Sequence, residues 1–160
     1  MIRKKQFMNE AFELSGKTFF WIKRPVYRPE CMKLTALKGE RISFQAACTC
    51  DGFMKNRVKV RIESELKDRI RVRKVESVPV GRTCCPVVDD NYLKTESGMY
   101  PDLLRELKDE EVDIYPEKWR SLWIDIEISE DMVPGIYPIT VSLEKDGKVV
   151  ASASTEVTII

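Results

Sequence analysis

Residues 136–159 read IYPITVSLEKDGKVVASASTEVTI. Tyr137, Ile139, Val141 and Leu143 alternate with Pro138, Thr140, Ser142 and Glu144. That is the period of a half-buried strand. Asp146-Gly147 follows, and both residues tolerate the positive φ that a two-residue hairpin turn demands. Val149, Ala151, Ala153, Thr155, Val157 and Ile159 then resume the alternation over 148–159. The stretch predicts a hairpin with one buried face.

The same period recurs upstream. In RSLWIDIEIS at 120–129, Leu122, Ile124, Ile126 and Ile128 share one face, with Trp123, Asp125 and Glu127 opposite. In RISFQAACTC at 41–50, Ile42, Phe44, Ala46, Cys48 and Cys50 align. Val58, Val60 and Ile62 alternate with Arg57, Lys59 and Arg61, and Ile70 and Val72 alternate with Arg69, Arg71 and Arg73. Shorter strands are expected at 17–23 and 31–37. No stretch keeps a helical period, and no internal repeat is visible. Many short half-apolar strands predict an all-β fold, an antiparallel two-sheet β-sandwich of immunoglobulin-like or jelly-roll-like kind. Pro79 to Lys118 breaks the pattern with Gly81, Pro86, Gly98, Pro101 and Pro116. It reads as one long irregular excursion, with 101–112 a loop holding at most a helical turn or two. Such an excursion is usually functional or interfacial.

The 160 residues suit a single domain over 1–160, and 43% hydrophobic residues suffice for a core. The last residues, 158–160, lie on a strand, so a domain boundary is expected there. Lys+Arg is 27 and Asp+Glu is 26, for a net charge of +1. That balance gives no global attraction to nucleic acid or an anionic membrane. With His at 0, Ser-His-Asp and Cys-His nucleophile systems and imidazole metal sites are excluded. No apolar run reaches the length of a membrane span or a signal peptide, so a cytoplasmic protein is expected, or a secreted one if an upstream leader is removed. No glycine-rich phosphate loop is present, and no cofactor is expected.

Five cysteines occur, at Cys31, Cys48, Cys50, Cys84 and Cys85. A four-thiolate zinc site from Cys48, Cys50, Cys84 and Cys85 is the sharp reading. C-x-C plus C-C lacks the usual knuckle spacing, so reduced thiols without metal are the favoured one. Acidic pairs at Asp89-Asp90, Asp109-Glu110 and Asp125 with Glu127 have the residue type for glycoside hydrolysis. Solvated carboxylates paired with Lys59, Arg61, Arg71 or Arg73 on neighbouring strands account for them more simply. The basic run from Arg57 to Lys74 is interleaved with Glu63, Glu65, Asp68 and the neighbouring Glu76 and lacks aromatics, so it reads as the wet face of a sheet. Aromatics are the better binding candidates: Trp21, Tyr27, Tyr92, Tyr100, Tyr115, Trp119 and Trp123 offer flat faces for a sugar or another domain. Tyr92, Tyr100, Tyr115 and Trp119 are the interface candidates.

Three segments in order resemble a known family. They are LKGERISFQAA at 37–47, VESVPVG at 75–81 with GMYPDLL at 98–104, and WRSLWIDIEISEDMVPGIYPITVSL at 119–143. Together they are similar to the N-terminal β-sandwich domain preceding the catalytic barrel in glycoside hydrolase family 123 and its uncharacterised relatives. Ser129 stands where the family pattern often carries Pro. The resemblance implies a non-catalytic accessory domain whose partner is its own downstream (β/α)8 barrel. It implies that the barrel hydrolyses N-acetyl-β-galactosaminides with help from the substrate's acetamido group, using an Asp-Glu pair at a barrel strand end. Asp109-Glu110 matches that pair in letters only. The alternatives are an autonomous carbohydrate-binding module and an immunoglobulin-like protein-interaction module.

Overall fold

The structure, a computed structural model, describes residues 12–15, 33–50, 52–81, 97–116 and 118–160. Among the described residues ten strands run β1 (Phe12–Ser15), β2 (Lys33–Ala36), β3 (Arg41–Cys48), β4 (Lys55–Glu63), β5 (Ile70–Val80), β6 (Gly98–Glu106), β7 (Glu111–Ile114), β8 (Arg120–Glu127), β9 (Gly135–Lys145) and β10 (Lys148–Ile159). They form two five-stranded sheets. One has the order β1-β3-β8-β5-β6 and the other β2-β10-β9-β4-β7. The fold is the expected β-sandwich. Its strand pairs are antiparallel apart from β2 on β10, which is parallel.

Alternation builds the core. Leu122, Ile124 and Ile126 of β8 lie opposite Ala46, Phe44 and Ile42 of β3. Across the sandwich, Ile139, Val141 and Leu143 of β9 close on them, all buried in one cluster. The Asp146-Gly147 turn forms as the sequence predicts, with both φ values positive, at 52° and 74°. The return strand keeps the expected phase from Ala151 to Ile159, and Val149 departs from it. A bulge between Val149 and Ala151 leaves Val149 and Val150 exposed, and the buried alternation holds from Thr155 to Ile159.

Among the described residues of the excursion most lie on strands, which corrects the loop expected at 101–112. Residues 98–106 are β6, an edge strand on β5, and residues 111–114 are β7, an edge strand on β4. Two features hid β6. The β5–β6 register slips between Glu76 and Ser77, where Asp102 of β6 is the extra residue, so the phase that Leu103 and Leu104 keep against Glu76 and Val75 does not carry on to Pro101. Pro101 is tolerated because β6 is an edge strand with a bulge. The strand expected at 17–23 lies outside the described residues; the one at 31–37 is β2.

The last part of β5 outruns its inner neighbour. β8 pairs with Ile70 to Lys74, whereas β6 pairs from Arg73 to Val80. Among the described residues, Val75–Val80 and Gly98–Leu104 thus form a two-stranded ribbon beyond the end of β8. The opposite pole of the sandwich holds Ile160, whose amide donates to the Ala36 carbonyl at 3.0 Å, next to the ends of β8 and β10.

Candidate functional site

Strand β5 places Ile70 and Val72 opposite Ile126 and Ile124, so its even positions face the core. The same face continues through Lys74, opposite Leu122, and Glu76. Arg105 of β6 stands directly across from Lys74. Arg120, two residues before core Leu122 and paired with buried Cys48, also faces inward. Four charged side chains therefore occupy positions that the strand period assigns to the interior. Between the sheets at this end, they line a cleft of about 740 Å³ whose other wall carries Arg57, Asp109, Glu111, Asp113 and Tyr115.

The cleft is electrostatically organised. Lys74 Nζ lies 2.7 Å from one Glu76 carboxylate oxygen and Arg105 Nε 3.0 Å from the other. The Lys74 hydrogen bond, then the charges of Lys74, Arg105 and Arg120, hold the Glu76 carboxyl below its ordinary range against the opposing effect of burial. Arg120 stacks over Tyr115, its guanidinium carbon 4.6 Å from the ring centroid. It has no carboxylate partner within ion-pair distance among the described residues. On the far wall the Arg57 amide donates to Asp113 at 2.9 Å and its side chain to Glu111 at 3.0 Å. A carboxyl held ionised is a poor general acid. The chemistry open to the arrangement is charge pairing and hydrogen bonding.

The candidates read from the sequence fall in several places. Tyr115 lines the cleft, with Arg120 over one ring face. Tyr100 sits on β6 opposite Val78, its ring against Gly98, where a Cβ would come within 3.3 Å of it. Trp119, just before β8, is half-buried and does not line the cleft. Tyr92, Trp21 and Tyr27 lie outside the described residues. Asp109 and Glu110 are the two central residues of a tight turn, with φ of 55° and 58°, joining β6 to β7. Asp89-Asp90 lies outside the described residues.

Asp125 and Glu127 do share the outer face of β8, in different environments. Glu127 is exposed and pairs with Arg41 at 3.1 Å. Asp125 is only 8% exposed. Its Oδ1 accepts from Ser43 Oγ at 2.6 Å and Trp123 Nε1 at 2.7 Å, and its Oδ2 accepts from Arg73. Burial pushes its carboxyl up, but the three hydrogen bonds and the Arg73 charge outweigh it and leave the carboxyl below its ordinary range. The basic run is divided between the two sheets, and Arg57, Arg61, Arg71, Arg73 and Lys74 each pair with a carboxylate.

Of the four cysteines in the zinc reading, Cys48 and Cys50 are among the described residues. Cys48 is in the core, where burial pushes its thiol up to about 12. Cys50 follows the end of β3, its thiol 3.5 Å from the Ile114 carbonyl. Cys84 and Cys85 lie outside the described residues, and no metal-ligating cluster occurs among the described ones. No helix among the described residues is long and apolar enough to cross a membrane.

The residues that sequence reading missed are Lys74, Glu76, Arg105 and Arg120. The signal was the switch within one face of β5 from Ile70 and Val72 to Lys74 and Glu76. It is meaningful only once the second wall, β7, is recognised as a strand.

Known proteins share this fold. The sequence profile of the glycoside hydrolase 123 N-terminal domain matches residues 23–145. A family 123 glycoside hydrolase from Clostridium perfringens, described for glycolipid glycan hydrolysis, superposes with a TM-score of 0.59 at 17% identity. The match covers 79% of this chain and 22% of that one, so this chain spans a minor part of that enzyme's length. At that identity the likeness is one of fold. Two further structures resemble it distantly and carry no argument. One is AvmM, which catalyses macrocyclization in alchivemycin A biosynthesis, with a TM-score of 0.40 and 10% identity over 92% of this chain and 87% of that one. The other is the seventh ScaB type I cohesin of Pseudobacteroides cellulosolvens, with a TM-score of 0.38 and 10% identity over 80% and 88%. No curated protein sequence matches the chain.

Proposed function

Because this chain belongs to the glycoside hydrolase 123 N-terminal domain family, we propose that it is a non-catalytic accessory domain that packs beside a catalytic (β/α)8 barrel and supports it. The ribbon of β5 and β6 is the barrel-facing surface. The observation that carries this surface is the ribbon's construction. A two-stranded ribbon is marginal in water by itself, and this one exposes Val80 at 43%, Met99 at 59% and Leu103 at 42%. The chemistry belongs to the barrel, which acts on N-acetyl-hexosaminides. The ionised, cation-bound Glu76 and the network-bound Asp125 are consistent with a domain that holds no general acid of its own.

The test compares the 160-residue chain with the longer protein that includes the sequence after Ile160. Amide hydrogen exchange of β5 and β6 is expected to slow markedly in the longer protein, with β2 and β10 unchanged. Hydrolysis of an aryl N-acetyl-β-galactosaminide is expected from the longer protein alone. Turnover by the 160 residues, or ribbon amides that exchange equally fast in both, would overturn the reading.

A further inference from the structure

We propose that the cleft between the sheets binds a carboxylate-bearing sugar of the hexuronate type. The inference stands on the cleft alone, independently of any barrel beyond Ile160. Its first support is placement. Lys74, Glu76 and Arg120 occupy the core-facing phase of β5 and β8, where apolar residues would have closed the sandwich. A fold that keeps charge at such positions holds open a polar volume at the expense of core.

The second support is the charge left after internal pairing. Glu76 is a single anion shared by Lys74 and Arg105, with Arg120 also in its field. That corner therefore carries three cations around one carboxylate. Of these three, Arg120 has no carboxylate within ion-pair distance among the described residues, and its guanidinium rests over the Tyr115 ring. A guanidinium held in this way presents a planar fork to an incoming carboxylate, with little side-chain freedom left to lose.

The opposite wall selects the rest of the ligand. Glu111 and Asp113 each accept one bond from Arg57 and are among the residues at the rim of the cleft, with acceptor capacity left over. Ionised carboxylates only accept. They repel the carboxylates and carbonyl oxygens of an acidic peptide, and they take hydroxyl donors. One anionic group near a cationic corner and several hydroxyls near acceptors describe a uronate. A neutral sugar would bring Arg120 no carboxylate, and an acidic peptide would set its further carboxylates against those of Glu111 and Asp113.

The 160-residue chain is titrated with oligogalacturonate and oligoglucuronate, with the methyl ester of oligogalacturonate and with poly-glutamate. Binding is followed by calorimetry and by amide chemical shifts of β5, β7 and β8. The acids are expected to bind and to perturb these strands, and the ester to bind about tenfold or more weakly. Arg120→Gln is expected to remove that difference, and Arg120→Lys to restore part of it. Lys74→Gln, at a half-exposed position, weakens the acid more than the ester and serves if Arg120→Gln fails to fold. Equal binding of acid and ester, no shift at these strands, or tighter binding of poly-glutamate than of either uronate would overturn the proposal.

Discussion

Asp125 shows what a buried carboxylate does in this fold. Ser43, Trp123 and Arg73 converge on it from three strands, and Arg73 Nε is already buried without a partner. Asp125→Ala removes the counter-charge and strands the guanidinium. Breaking a fully buried pair costs about 3–5 kcal/mol. The Arg73 side chain keeps 24% exposure, so solvent screening lowers the expectation to about 2 kcal/mol. Urea denaturation at pH 7 measures it. The pH dependence has a defined sign. The carboxyl is held below its ordinary value in the fold, so its contribution is complete above the unfolded value of about 4. That contribution is lost as pH falls through the lower folded value. Asp125→Asn should therefore be less stable than the parent at pH 7, with the gap closing below about pH 4.

At the scale of the element, turns decide which strands can meet. Gly147 has φ of +74° with open space around it. Gly147→Ala should cost about 1 kcal/mol in denaturant unfolding through backbone strain alone. Gly81→Ala, also in open space but without a positive φ, should be near neutral. Unequal legibility of the strands follows from the same features. The hairpin of β9 and β10, with β3, β4 and β8, was plain because each keeps its phase against a neighbour over most of its length. Strand β6 was hidden by a bulge at Asp102 that breaks its phase, and by Pro101, which only an edge position tolerates. Strand β7 is four residues long, too short for alternation to declare itself. The cleft was illegible for that reason. Lys74 and Glu76 read as one more polar stretch until β6 and β7 supply walls around them. Tyr115 was legible as an aromatic outside the core, while its partner Arg120 read as the polar start of a core strand.

For the whole molecule, the two poles impose a geometry on any domain joined at Ile160. Ile160 lies at one end of the sandwich and the ribbon tip at the other. Strand β10 has 12 residues, so the poles are about 40 Å apart at the usual rise per residue. A domain tethered at Ile160 reaches the ribbon only by lying alongside the sandwich. Side-on packing separates two kinds of apolar residue. Core residues such as Ile126 stabilise the sandwich in isolation. Met99 and Leu103 are exposed here and stabilise it only through what they touch. The double variant Met99→Asp, Leu103→Asp should therefore change the unfolding free energy of the 160-residue chain by no more than about 0.5 kcal/mol. In the longer protein the same variant should lower the melting temperature and split a single transition into two, as the domains lose their contact. If the isolated chain itself loses several kcal/mol, on the order of a core truncation, the ribbon belongs to the sandwich's own packing. If both proteins are unchanged, the neighbouring domain docks elsewhere.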